Sequence, residues 1–419
     1  MAEEAAKSQV SLINDEVKAA GLQIKPTIDN FYQLMTNHYG KNLRLNEMTG
    51  KPEIWNNRRK AWQEWTDANE SRMRAYFERT YSMYSQVKMT DALLMYFNDH
   101  KVNPLLEILD GLQWDGKPRV EFFLRDVLKA DDNEYTRECS RLIFAGGIHR
   151  AYNPGCKFDD MIVLIGGQGS GKSTTVRWLN IEDSFFREIK TINGKEGIEA
   201  IRGVWIGEVS ELMAMTRVKE AEAVKAYITS QSDAYRPPYQ KNVQTIPRRC
   251  VFIGTTNNPQ FLTDKTGNRR FYPVKCNSDG YKLLDHEAEV RDYIRQAWAE
   301  AVHLYKAGEL QPFAKHEVLE QIRAAQEAAM EDDWRIGAIE QYLEDEKRRP
   351  NDTVSVIELW HNALGMPADS KPGRADSIAI TQIITNIPGW VKCDKPVRTA
   401  KWGLQKVFRK TNPFFPVWR

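Results

Sequence analysis

The chain has 419 residues, enough for two or three domains, and its 59 Lys and Arg against 57 Asp and Glu leave a net charge of only +2, so bulk charge selects no partner. Its five cysteines include no C-x-x-C pair, which argues against a zinc site or a disulfide framework and fits a reducing cytosol. No apolar run approaches the roughly 18–20 residues of a membrane span, and the acidic, polar start MAEEAAK is not a signal sequence.

Residues 1–26 read as a polar tail or loose helix. Thr27 caps a predicted helix to about His38, with Ile28, Phe31, Tyr32, Leu34 and Met35 as its apolar positions. Leu43 to Met48 alternates as a strand does, and Thr49-Gly50-Lys51-Pro52 turns it. Trp62 to Tyr84 and Thr90 to His100 have helical patterns whose aromatics are read as core. Another helix follows to about Leu112, then a turn, Trp114 to Arg119, and a mostly helical stretch from Val120 to Tyr152. Residues 1–110 are expected to form a helical accessory domain, 111–310 an α/β core and 311–419 a third domain.

The stretch MIVLIGGQGSGKSTT, Met161 to Thr175, carries the strongest signal. A short buried strand runs into a glycine-rich turn and a helix start, the context that G-x-x-x-x-G-K-[ST] requires. Gly166, Gly167, Gly169 and Gly171, with Gln168 and Ser170 between them, let backbone N–H groups face an anion, and the helix start adds its positive dipole end. Lys172 reaches the outer phosphates of a nucleoside triphosphate. Ser173 ligates Mg²⁺, and Thr174 completes the loop. ATP and Mg²⁺ are therefore the expected ligands.

Gly203 to Leu212 reads as a buried strand delivering Glu208 to its carboxyl end, for a metal or a water-activating role. Glu211 is a candidate for the other role, or an ordinary first-turn acid. A helix, Glu220 to Thr229, precedes Tyr235–Asn242, where Arg236 and Lys241 alternate with aromatics and prolines. That mixture suits phosphates and stacked bases, and equally a structural loop. Cys250 to Thr256 is a third buried strand, and Asn257 at its tip suits a sensor that positions a phosphate or water. Arg269 and Arg270, in a glycine-started turn, suit an arginine finger. Tyr281 to Lys306 and Val318 to Met330 read as helices.

These motifs occur in an order that resembles the virulence-associated E family of phage and mobile-element ATPases, itself similar to superfamily 3 helicases of the AAA+ class. They are WDGKPR at Trp114–Arg119, PGCKFD at Pro154–Asp159, GGQGSGKST, the Glu208 strand, YRPPY at Tyr235–Tyr239, GTTN at Gly254–Asn257 and GNRRFYPV at Gly267–Val274. The likeness spans about residues 100 to 310. It implies an AAA+-like core with a parallel sheet and a homo-hexameric ring with ATP hydrolysed between subunits. It further implies single-stranded DNA in the pore near Arg236 and Lys241, and Arg269 or Arg270 reaching the neighbour's nucleotide. A primase domain, carried by many relatives, is not expected here.

From Asp333 three short helices (Trp334–Arg349, Val356–Leu364, Ser377–Ile387) precede a stretch, Val391 to Leu404, alternating cations with apolar residues. This predicts a winged helix for duplex DNA, with Arg374, Lys392, Lys395, Arg398 and Lys401 on phosphates. The other reading is a helical lid with a basic tail. Together the features point to an ATP-driven helicase or translocase of phage or mobile-element replication. An ATP-controlled origin-melting switch and a small-molecule kinase are the competing classes.

Overall fold

The computed structural model describes residues 24–192, 194–210, 218–235, 243–262, 268–278, 280, 282–330, 335–345, 352–387, 389–399 and 401–410. The chain divides into two compact units, Met1–Met330 and Glu331–Arg419. The Leu319–Ala328 helix therefore belongs to the first unit, although the sequence reading put a boundary at 310.

The amino-terminal region is mixed rather than helical, which corrects the expectation. Helix Ile28–His38 is capped by the Thr27 side chain, which accepts from the Asn30 N–H at 3.1 Å. Strands β1 (Leu43–Asn46), β2 (Lys51–Asn56) and β3 (Ala61–Glu64) follow, then helices Asp67–Tyr81 and Gln86–Asp99, then β4 (Lys101–Val102). They form one sheet in the order β3-β2-β1-β4. The helix expected from Trp62 begins only at Asp67, because Trp62 sits in β3 directly opposite Trp55 of β2. The two indoles meet edge to face at 5.5 Å, and the Arg44 guanidinium lies 4.0 Å over Trp62.

The core that follows is a five-stranded, wholly parallel sheet. Its strands are β5 (Met161–Ile165), β6 (Phe186–Glu188), β7 (Ile206–Ser210), β10 (Val251–Thr256) and β11 (Phe271–Lys275), in the order β11-β5-β10-β7-β6. Between β7 and β10 runs an antiparallel ribbon of β8 (Ser232–Tyr235) and β9 (Gln244–Pro247). Strands buried on both faces read as apolar runs, which is why β5 (MIVLI) and the first half of β10 (VFI) are legible. Side chains alternate between two cores. Ile162, Leu164 and Ile253 pack with the Glu134–Tyr152 and Glu287–Lys306 helices. Met161, Val163 and Phe252 pack with Val224 and Ile228 of the Val218–Thr229 helix. Gly146 and Gly147 let the Glu134–Tyr152 helix lie flush: a Cβ at Gly147 would stand 2.6 Å from Trp298.

In the second unit, helix Arg335–Glu344 leads to β12 (Thr353–Ser355). A helical turn, Val356–Glu358, then widens into a π-helix, Leu359–Ala363, before helix Arg374–Asn386. Strands β13 (Trp390–Lys392) and β12 flank β16 (Val407–Lys410) in an antiparallel sheet. Between β13 and β16, strands β14 (Val397–Thr399) and β15 (Gly403–Gln405) form a separate hairpin. The expected single ribbon from Val391 to Leu404 is thus split, since β13 pairs with β16 instead.

Candidate functional site

The carboxyl end of β5 runs directly into the glycine loop, and the Lys172–Leu179 helix begins at its far side. Gly169 and Gly171 have φ of +82° and +81°, the left-handed region open to glycine. At Gly171 a Cβ would also stand 2.8 Å from Leu283. Gly167, Gln168 and Gly169 form the exposed crest, while Ser170 is buried beneath it. The Ser278 hydroxyl donates to the Ser170 carbonyl at 2.6 Å, tying the loop to the segment after β11. Thr174 is half-buried beside Ser173.

Lys172 folds over the loop. Its Nζ donates to the Gly166 and Gly167 carbonyls at 2.7 and 2.8 Å, to Ser170 Oγ at 3.1 Å and to Asn257 Oδ1 at 3.1 Å. The last contact joins the loop to the tip of β10, whose Thr256 carbonyl also accepts from the Gly166 N–H at 3.2 Å. The sequence candidates Lys172 and Asn257 therefore share one ammonium-centred cluster.

Glu208 is the second focus. It sits on β7 and is only 2 % exposed. Its Oε1 accepts from Ser173 Oγ at 2.6 Å and from Thr255 Oγ1 at 2.7 Å. Among the described residues no Lys or Arg forms an ion pair with it. Thr255 was not singled out from the sequence, although a hydroxyl inside the buried run Val251–Thr256 was the available signal. Register explains its role: β10 lies next to β7 with Ile253 opposite Glu208 and Thr255 opposite Ser210. Beside this pair a cleft of about 640 Å³ opens, lined by Ser173, Thr174, Arg177, Glu188, Glu208 and Arg291 among others. Behind the loop, burial pushes the Cys276 thiol up to about 12, so it stays protonated beside Gly166.

Backbone amides at a helix start, one ammonium, and a hydroxyl joined to a buried carboxylate thus converge where parallel strands end. In open parallel sheets this is the edge at which ligands bind. A model of the virulence-associated protein E-like domain matches residues 109–331, more than half of the chain and all of the residues just described. The chain belongs to that family.

Within this virulence-associated protein E-like region the two arginines stand apart from the loop. β11 is parallel to β5 with Phe271 opposite Met161 and Lys275 opposite Ile165. Arg269 and Arg270 therefore lie at the amino end of the sheet and the glycine loop at its carboxyl end. Five residues at ~3.3 Å each put roughly 15 Å between them. Arg269 is exposed and Arg270 half-buried. β11 itself was missed, because Pro273 and the arginine pair read as a turn. As an edge strand, β11 tolerates the missing N–H. Glu211, Arg236 and Lys241 lie outside the described residues. Outside the family match, Arg374, Lys392, Lys395, Arg398 and Lys401 are all exposed on the second unit.

Among solved structures, the apo structure of the NrS-1 C terminal region (305-718) is 13% identical, covering 90% of this chain and 98% of that one with a TM-score of 0.48. The A form apo structure of the same region is 14% identical, covering 92% and 100%, with a TM-score of 0.48. Likeness at that score carries no argument about the site. No curated protein sequence matches the chain.

Proposed function

We propose that this protein is a Mg²⁺-dependent ATPase that couples hydrolysis to moving along or unwinding DNA, as a ring in phage or mobile-element replication. The observation that carries the reading is the pair of hydrogen-bonded sets, Lys172 with Asn257 and Glu208 with Ser173 and Thr255, at the carboxyl edge of the parallel sheet. The donor set fits the ligands. The amides of Gly166 to Ser173 and Lys172 would hold phosphate oxygens, and the Ser173 hydroxyl with the Glu208 carboxylate would hold Mg²⁺. Mg²⁺ keeps several waters and takes few protein ligands, which a site of one hydroxyl and one carboxylate respects. Asn257 would orient the γ-phosphate or the attacking water, and Glu208 would take a proton from that water or steady the metal.

Arg269 and Arg270 are too far along β11 to serve the loop of their own chain. They suit the nucleotide of a neighbouring subunit, where a guanidinium stabilises charge on the transferring phosphate. This supports a homo-oligomer, of which a hexameric ring is the family's expectation. The Arg236–Lys241 segment follows β8 and precedes β9 in the chain, and the ribbon's strands are fixed to the core. Arg248 binds Asp233 at 2.6 and 2.7 Å, and the buried Arg150 reaches the Ser230 and Arg248 carbonyls at 3.5 Å. A strand in the pore would meet Arg236 and Lys241. The second unit, as a winged helix, would grip duplex DNA.

Strand displacement from a forked duplex in the presence of ATP tests this reading. Displacement that needs ATP supports it. ATP-dependent binding without displacement would instead favour an origin-melting switch, which the basic stretch from Lys371 to Lys410 also suits.

A further inference from the structure

The Arg374–Asn386 helix buries Ile380, Ile383 and Ile384 in the core of the second unit. Its opposite face exposes Arg374, Ile378, Gln382 and Thr385, with Ser377 and Thr381 half-buried alongside. A face that only faces water is ordinarily rich in Lys and Glu. This helix contains neither. Its one acid, Asp376, is neutralised by Arg335 at 2.9 Å. Ile378 is 50% exposed, which solvation alone does not reward. What remains is a guanidinium, an amide, hydroxyls and methyl groups. These are the side-chain types that distinguish base edges in a major groove: Arg for guanine, Gln for adenine, and Ile or Thr methyls for the thymine methyl.

Apart from Arg374, the positive charge of this region lies outside the helix, on the segments before and after it in the chain. Residues 371–410 hold nine Lys and Arg against two Asp and Glu, a net of +7. Lys392, Lys395, Arg398 and Lys401 are exposed on the strands and hairpin that follow the helix. The hairpin is fixed in place: Trp402 stacks on His361 with ring centroids 4.7 Å apart and planes 9° from parallel. Exposed cations on these strands suit phosphates, which position a protein without reading sequence, and the polar helix face, with Arg374 as its one charge, suits bases. At 13 residues the helix is about 20 Å long, a fit for the major groove.

We propose that this face reads a specific duplex sequence, with Gln382 and Arg374 on base edges and Ile378 and Thr381 against thymine methyls. The inference rests on the DNA-handling reading above, but adds a defined double-stranded site to it.

The test is selection of the full chain against a pool of random duplexes, followed by binding of the enriched duplex and a scrambled one. Enrichment of a short motif is expected. Gln382→Ala should weaken the enriched duplex roughly tenfold or more and leave the scrambled duplex unchanged. Lys395→Ala with Arg398→Ala should weaken both alike and make binding less steeply dependent on salt, so that the deficit shrinks as salt rises. No enriched motif, or Gln382→Ala binding both duplexes as wild type does, would overturn the proposal. Hydrolysis stimulated by single-stranded DNA is measured in parallel. Its absence strikes the motor reading, whereas its presence without an enriched motif strikes only this one.

Discussion

Ser173 Oγ donates to Glu208 Oε1 at 2.6 Å, joining the first turn of the loop's helix to a strand 35 residues further on. The bond sets the depth at which the helix sits over the sheet and leaves the second carboxylate oxygen of Glu208 for another partner. Glu208→Gln keeps an oxygen for the Ser173 and Thr255 hydroxyls, so the fold should survive. Hydrolysis should fall by about 100-fold or more. If Glu208 acts as the base, binding of ATP with Mg²⁺ is unchanged. If it steadies the metal, the Mg²⁺ requirement rises. Mg²⁺ titrations of binding and of turnover separate the two, and unchanged turnover would remove Glu208 from the site.

The placement of Arg269 and Arg270 at the end of the sheet remote from the loop predicts a defect shared between subunits. An Arg269→Ala/Arg270→Ala variant should assemble and bind ATP, yet hydrolyse slowly. Mixed with wild type, it should lower turnover by more than simple dilution does. Activity that follows dilution alone would mean that each chain completes its own site.

Asp160 stands just before β5, with Tyr272, Arg269, Asp159 and Glu138 as the groups that act on it. Burial pushes its carboxyl up to about 6 from 3.8. The native state therefore binds this proton more tightly than the unfolded chain does. Between those two pH values the native state holds more protons, so stability falls as pH rises through the window. Asp160→Asn should raise stability at pH 7.5 by up to about 3 kcal/mol, a gain that vanishes below about pH 4. Urea titrations at the two pH values check this. A variant destabilised at both would mean that the charged form is held favourably.

Gly147 tests the packing beneath the sheet. A Cβ there meets Trp298 at 2.6 Å and lies 3.5 Å from the Trp205 indole nitrogen, which donates to the Gly147 carbonyl at 3.0 Å. Gly147→Ala gains helix propensity but overpacks, with an expected net loss of about 1–3 kcal/mol. A denaturation midpoint at or above wild type would show that Trp298 moves aside freely.

Much of this site was legible because its strands are buried on both faces. Met161–Ile165 is an unbroken apolar run and Cys250–Ile253 another that leads into Gly254-Thr255-Thr256, so the glycine loop and Asn257 stand out at the ends of strands. Glu208 stood out as an acid in a run that is otherwise buried. Thr255 did not, since a threonine suits any strand and only the register with β7 gives it a partner. β6 is three residues at an edge, too short for periodicity. β2 and β3 carry half-buried tryptophans among charged residues, a pattern that a helix shares. Nor does sequence spacing reveal that Arg269 and Arg270 lie at the far end of the sheet, because that follows from the parallel pairing of β11 with β5.

The most direct measurement is phosphate release from ATP, with and without single-stranded DNA, by wild type and by Lys172→Ala. Wild type should hydrolyse ATP in the presence of Mg²⁺ and faster with DNA, and Lys172→Ala should remain folded and be inactive in both conditions. Equal turnover by the two proteins, or wild-type turnover indifferent to DNA, would contradict the account.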